Sequence, residues 1–264
     1  MLQVDLAVIG GTGVYKADML EQVKDVEVET PYGKANLIAG LYKGRSVAFL
    51  ARHGKGHSVP PHLVNYRANI MALKKLGAKR VIATAAVGSL NEKMGPKDFV
   101  IIDQFLDFTK SRPQTFFEGG HQGVLHVDVT DPYCREIRQF LLQKARELNF
   151  SVHDGGTYVC TEGPRFETPA EIKMFKVLGG DLVGMTSVPE VVLAREAGLC
   201  YATVAMVTNY AAGISPDPLT HGEVLQVMNE LSANISQLIM TVLETIPLAG
   251  NCTCSKGPGE AGKF

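Results

Sequence analysis

A single α/β domain with a central mixed β-sheet flanked by helices is the fold class that this sequence predicts. Three observations carry the prediction. Short apolar runs of strand length alternate with amphipathic stretches of helix length along the chain. An early pair of apolar runs lies close enough to form a hairpin, so the sheet is mixed rather than purely parallel. No repeat and no linker divides residues 1–248, and residues 249–264, with four glycines, a proline and few apolar side chains, read as a flexible tail.

Each element has a local reason. Leu6 to Ile9 is an apolar run closing into Gly10-Gly11-Thr12-Gly13, a buried strand feeding a glycine loop. Residues 36–42 and 45–51 flank Lys43-Gly44, the hairpin signal. Asn65 caps a helix reaching about Leu76, and Gly77 stops it. Val81 to Ala86 is a buried strand opening into Gly88-Ser89, and Phe99 to Asp103 is another. Residues 134–148 pattern as an amphipathic helix. Strand 158–161, helix 169–177, strand 181–184, helix 189–197 and strand 201–207 follow. The last helix opens with the capping box Thr220-His221-Gly222-Glu223. Its buried stripe is Val224, Met228, Leu231, Ile235, Leu238 and Val242.

Composition narrows the function. Of 264 residues, 45% are hydrophobic and 20% charged, as in ordinary globular proteins. The net charge of −1 argues against a non-specific grip on nucleic acid or on an anionic membrane. No apolar run of about 18 residues is long enough to span a bilayer. The start MLQVDLAVIGGTG lacks the basic and small-residue marks of a secretory signal, so a cytoplasmic location is expected. Of the five cysteines, three sit in apolar surroundings and read as small buried hydrophobes. Cys252 and Cys254 form a C-x-C in the expected tail, and no second half of a zinc site is evident. His121 and His126 are five apart with no further ligand beside them, so no metal site is expected.

In open α/β sheets the ligand sits beyond the carboxyl ends of the strands, so chemistry is sought in the loops there. The Gly10–Gly13 loop suits an anion held by backbone N–H groups and the Thr12 hydroxyl. It lacks the last glycine of a dinucleotide fingerprint and the Lys of a Walker loop, and a tight turn explains it equally well. Arg52-His53-Gly54-Lys55-Gly56-His57 packs four basic or imidazole groups into six residues, which leans towards an anion site. Thr84 to Ser89 brings small residues and their amides to a strand end, although close packing alone accounts for it. Glu162-Gly163-Pro164-Arg165-Phe166-Glu167-Thr168 is sharper: two carboxylates, an Arg and an aromatic that can stack on a flat ring. The competing reading is a loop with an internal Arg–Glu pair. Met185-Thr186 and Asn209 end two further strands.

Taken in order, these segments resemble the trimeric purine nucleoside phosphorylase and methylthioadenosine phosphorylase family over about residues 5–247. Its marks are the GGTG start, Thr-Pro-Tyr-Gly at 30–33, Ala-Arg-His-Gly at 51–54, Val-Asn-Tyr-Arg-Ala-Asn at 64–69, Glu-Gly-Pro-Arg-Phe at 162–166 and Met-Thr-Ser-Val-Pro-Glu at 185–190. The resemblance implies a nucleoside phosphorylase-like fold and the phosphorolysis of a nucleoside to purine and pentose 1-phosphate, with inorganic phosphate as co-substrate and no cofactor. It implies that Thr12, Arg52, His53, Ala85, Ala86 and Thr186 hold phosphate, and that Phe166 packs on the purine and Met185 under the ribose. His126 matches a position that reaches into a neighbouring subunit's site, which implies a homotrimer or a dimer of trimers.

The substrate is expected to be a 6-oxopurine nucleoside. A Glu167 carboxylate accepts from the N1–H of hypoxanthine or guanine and repels the lone pair on adenine N1. The Asn209 amide serves N7 and O6. Methylthioadenosine phosphorylases resemble the chain but carry two Asp residues where it has Asn209 and Ala211, and a small residue at Glu167. His221 matches a histidine bonded to the ribose 5′-hydroxyl, where enzymes of 5′-methylthio sugars carry an apolar side chain. Asn209 and His53 are the candidate catalytic residues. The alternatives are a methylthioinosine or methylthioadenosine phosphorylase, a non-catalytic nucleotide-binding protein and, with the glycine loop, a dinucleotide-dependent oxidoreductase. The sequence leaves open whether Cys134 with Cys200, or Cys252 with Cys254, forms a disulfide.

Overall fold

Residues 2–10, 19–54, 56–214 and 221–254 are described in the computed structural model, without the side chains of His221 and Glu223. Thr12, Lys55 and Thr220 lie outside the described residues, as does the His221 side chain. In chain order the elements are β1 (Leu6–Gly10), β2 (Glu21–Thr30), β3 (Gly33–Tyr42), β4 (Arg45–Ala51), α1 (Tyr66–Lys75), β5 (Arg80–Ser89), β6 (Phe99–Ile101) and β7 (Gln104–Phe108). There follow α2 (Arg135–Glu147), β8 (Val152–Asp154), β9 (Thr157–Thr161), α3 (Pro169–Val177), β10 (Leu182–Gly184), α4 (Ser187–Glu196), β11 (Cys200–Tyr210) and α5 (His221–Thr245).

The strands form one mixed sheet in the order β2-β3-β4-β1-β5-β10-β9-β7, and a branch β11-β6-β8 leaves it at β5. Strand alternation puts an apolar layer on each face. In β1, Ala7 and Ile9 join the core with α1 and α4, while Leu6 and Val8 join the core with α2 and α5. In β5, Val81, Ala83, Ala85 and Val87 take the first face and Ile82 the second. The expected single α/β domain is therefore present, with helices on both faces.

Several local expectations hold in detail. Lys43 (φ 50) and Gly44 (φ 75) turn the β3–β4 hairpin. Asn65 Oδ1 accepts from the Ala68 amide and caps α1, and Gly77 follows at φ +84. On α5, Leu231, Ile235, Leu238 and Val242 are buried as the periodicity predicts. Strands β2, β7 and β8 were not predicted. β2 is an edge strand of mostly exposed, charged residues and carries little apolar signal.

The expected tail at 249–264 is corrected for residues 249–254, which are docked. Arg80 Nη2 donates to the Ala249 carbonyl and pairs with Glu136, which accepts from the Asn251 amide. A Cβ on Gly250 would overlap Glu136 Oε2 and Arg80 Nη2, so only glycine crosses this ion pair. The Cys252–Cys254 segment, expected as part of that tail, converges with Cys134 and Cys200.

Asn65 also donates from Nδ2 to the Tyr32 carbonyl. Asn65→Ala loses the helix cap and this tie together, and is expected to cost about 1–2 kcal/mol. Thermal melting followed by circular dichroism checks this, and an unchanged Tm contradicts it.

Candidate active site

Strand β5 changes partner along one edge. Its residues 80–83 pair with β1 in parallel, and Gly88 and Ser89 pair with β10 antiparallel. Residues 84–87 face neither strand on that edge, while β11 covers the other edge throughout. The gap opens the sheet at its centre. Ala86, within an otherwise largely buried strand, is exposed there, while Ala85 is buried on the opposite face. The ends of β4, β9, β10 and β11 deliver the predicted residues that are described around this gap.

Arg52 follows β4 and is 4% exposed. Its backbone amide donates to the Gly10 carbonyl, which joins the ends of β1 and β4. Its Nε and Nη2 donate to the Glu190 carboxylate at 2.7 Å each, and Nη1 donates to the Thr84 carbonyl at 2.9 Å. Glu190 is fully buried and also accepts from the Tyr201 hydroxyl. Burial works against the Arg52 charge, and Glu190 more than offsets it. Three of its five N–H donors are engaged inside the protein, leaving one on each Nη.

His53 is 8% exposed, and its Nδ1 lies 2.8 Å from the Val59 carbonyl. A carbonyl only accepts, so Nδ1 carries the proton and Nε2 presents a lone pair. The ring stacks on His57 at 4.3 Å. Burial and then the Arg52 charge push its pKa down to about 4. His53 is therefore neutral at pH 7.

The loop after β9 sorts its charged residues by partner. Glu162 accepts from the Lys110 amide and the Ser111 hydroxyl and pairs with Arg112. Arg165 forks onto Glu171 of α3, the same glutamate that completes the Thr168 capping box. The internal Arg–Glu pair is thus with Glu171, outside the motif. Glu167 remains, 9% exposed, with the Thr161 hydroxyl donating to it at 2.6 Å. Burial raises its pKa, partly countered by that hydroxyl. Phe166 beside it is 42% exposed. Gly163 (φ +65) lies so close to Met185 that a Cβ would meet its Sδ at 2.6 Å. This approach sets the loop against the end of β10.

Arg112, which the sequence reading missed, seats both loops. It is 7% exposed and donates to the carbonyls of Thr161, Glu162, Met185 and Val188 and to the Tyr66 hydroxyl. No local pattern marks it, because all these partners are distant in sequence. The Thr186 amide donates to the Tyr158 hydroxyl, which packs against Gly184. Asn209 lies at a register shift in β11, opposite Gly88. Its Oδ1 accepts from the Thr208 hydroxyl and its Nδ2 donates to the Tyr210 carbonyl, leaving one N–H and one lone pair.

Ala211 is 2% exposed and joins the small core of Leu90, Val159, Ile172, Phe175 and Val183. His126 is exposed on the segment between β7 and α2.

A profile described as the phosphorylase superfamily matches residues 5–244. The chain belongs to this superfamily of enzymes. It is 58% identical to a probable 6-oxopurine nucleoside phosphorylase of Moorella thermoacetica, over 97% of this chain and 98% of that protein. It is 54% identical to the 6-oxopurine nucleoside phosphorylase of Pyrococcus furiosus, over 94% and 96%. Among solved structures, a methylthioadenosine phosphorylase from an antarctic soil metagenomic library superposes with a TM-score of 0.91 at 37% identity, over 99% of this chain and 93% of that one.

Glu190→Ala leaves the Arg52 charge buried without its partner and is expected to destabilise the fold by about 3–5 kcal/mol. The double variant Arg52→Met with Glu190→Leu removes both charges and should recover most of that loss. Chemical denaturation of both checks this, and equal stability of the single and double variants contradicts it.

Proposed function

We propose that the protein phosphorolyses 6-oxopurine nucleosides, inosine and guanosine, to the free base and ribose 1-phosphate. Among the site's features, one carries the base preference: Glu167 is the charged group of its loop whose carboxylate is not held in an ion pair. As a carboxylate it accepts from the purine N1–H, beside the exposed ring of Phe166. Adenine offers a lone pair there instead, and such a mismatch costs roughly 1–3 kcal/mol. The names of the relatives at 54% and 58% identity support the same reading. The preference for a 5′-hydroxyl over a 5′-methylthio group rests on His221.

Phosphate sits in the β5 gap in this reading, held by Thr12, the free Nη hydrogens of Arg52, the amides near Ala85 and Ala86, and Thr186. The neutral His53 Nε2 accepts from a phosphate hydroxyl. A phosphate oxygen bonds to C1′ as the C1′–N9 bond breaks, and the bond's electron pair leaves with the purine, which takes a proton. Asn209 donates its remaining N–H to the N7/O6 edge as negative charge builds there, which favours the transition state over the ground state. No metal or organic cofactor takes part in these steps. We further place the enzyme in the cytoplasm, as a homotrimer or dimer of trimers in which the exposed His126 serves a neighbouring site. In support, no described helix is long and apolar enough to cross a membrane.

The deciding experiment is purine release from inosine, methylthioinosine, adenosine and methylthioadenosine, with and without phosphate. Phosphate-dependent cleavage led by inosine is expected. Methylthioinosine in the lead discards the His221 argument, and methylthioadenosine in the lead discards the purine pocket. Glu167→Gln should lower kcat/KM for inosine about 10- to 100-fold relative to adenosine. In the parent enzyme, acid should act in the same direction. As pH falls through the raised Glu167 pKa the carboxyl gains a proton, loses its acceptor role, and inosine cleavage falls relative to adenosine cleavage. A ratio independent of pH and of the substitution contradicts the role.

Asn209→Ala should lower kcat for inosine by about 100-fold while changing KM little, as expected for an interaction made mainly in the transition state. An unchanged kcat in steady-state assays removes Asn209 from the mechanism.

A further inference from the structure

The four cysteines gathered away from the sheet gap have no part in the chemistry above. Cys134 precedes α2, Cys200 opens β11, and Cys252 and Cys254 lie in the docked C-terminal segment. Every pair of their Sγ atoms lies within 4.8 Å. Cys200 and Cys252 are 3.3 Å apart. Cys134, Cys200 and Cys254 are buried and Cys252 is half-buried.

We propose that Cys134, Cys200, Cys252 and Cys254 form a tetrahedral thiolate site for a structural zinc ion. Zinc–sulfur bonds of about 2.3 Å place the four sulfurs of such a site about 3.8 Å apart, a spacing that small side-chain shifts would give. A disulfide needs two sulfurs close and makes no demand on a second pair. Here all four are mutually close. Four sulfurs and three buried residues make a closed site with no open position, as in structural rather than catalytic zinc centres. Cys134 stands at the N-terminal end of α2, where the helix dipole favours negative charge. On binding, zinc displaces the thiol protons to solvent, and no oxidant or reductant is needed. The ion would tie the C-terminal segment to the start of α2 and of β11, beside the Arg80–Glu136 pair that already holds Ala249 and Asn251.

The test uses the full chain, produced with zinc in the medium and purified under argon without chelator. Expected are about one zinc per chain by mass spectrometry of the metal, its release on titration with an organomercurial, and, after exchange for cobalt, thiolate-to-cobalt charge-transfer bands with tetrahedral d–d bands. Cys252→Ser, at the half-buried position, should retain at least about 10-fold less zinc against a chelator, with inosine cleavage by fresh enzyme unchanged. A metal-free chain whose intact mass is short by four hydrogens has two disulfides instead and overturns the proposal. So does a metal-free chain with all its thiols reduced, or zinc content that Cys252→Ser leaves unchanged.

Discussion

A central strand that loses its neighbour for four residues is the constraint on which the site depends. Along β5, pairing with β1 stops at Ala83 and pairing with β10 takes up at Gly88, so one edge lacks a strand partner between them. Buried backbone groups must find partners. The protein meets the demand in part with Arg52, which donates to the Thr84 carbonyl. The opening survives because β11 supports β5 along its whole other edge. The sheet therefore stays continuous while exposing one small residue, Ala86, at its middle.

Keeping charged groups beside such an opening requires that each be compensated. Arg52 is matched by Glu190, and Arg112 by Glu162 and by four backbone carbonyls. A buried pair of this kind adds little net stability, because desolvation offsets the attraction, yet removing one partner is costly. These pairs hold geometry, and they leave Glu167 and the His53 Nε2 as polar groups turned to other uses. Their acidities shift in opposite directions for one leading cause. Burial keeps His53 uncharged and raises the pKa of Glu167, so each is tuned by desolvation rather than by an ion pair.

How much of this was legible in the sequence depended on range. Signals carried by neighbouring residues were readable: the Lys43-Gly44 turn, the Asn65 cap, the apolar stripe of α5 and the strand-end motifs. What the motifs' side chains touch was not. Nothing near Arg52 marks its partner, because Glu190 lies 138 residues on. Arg112 carried no signal, since its role is defined by carbonyls from two distant loops. Strand β2 carried little signal because an exposed edge strand needs few apolar residues. The cysteines were dispersed by the same effect: positions 134, 200, 252 and 254 meet only once the C-terminal segment is laid across α2.

Arg112 has a mechanical meaning as well. One guanidinium grips the loop that carries Phe166 and Glu167 and the segment that carries Met185 and Thr186. Two segments bolted to one rigid planar group cannot shift independently without breaking short, buried hydrogen bonds. A molecule that pressed on one would be felt by the other. Rigidity shared in this way makes separate contacts answer as a unit, so that fit at one end of a ligand is sensed at the other without any large motion of the fold.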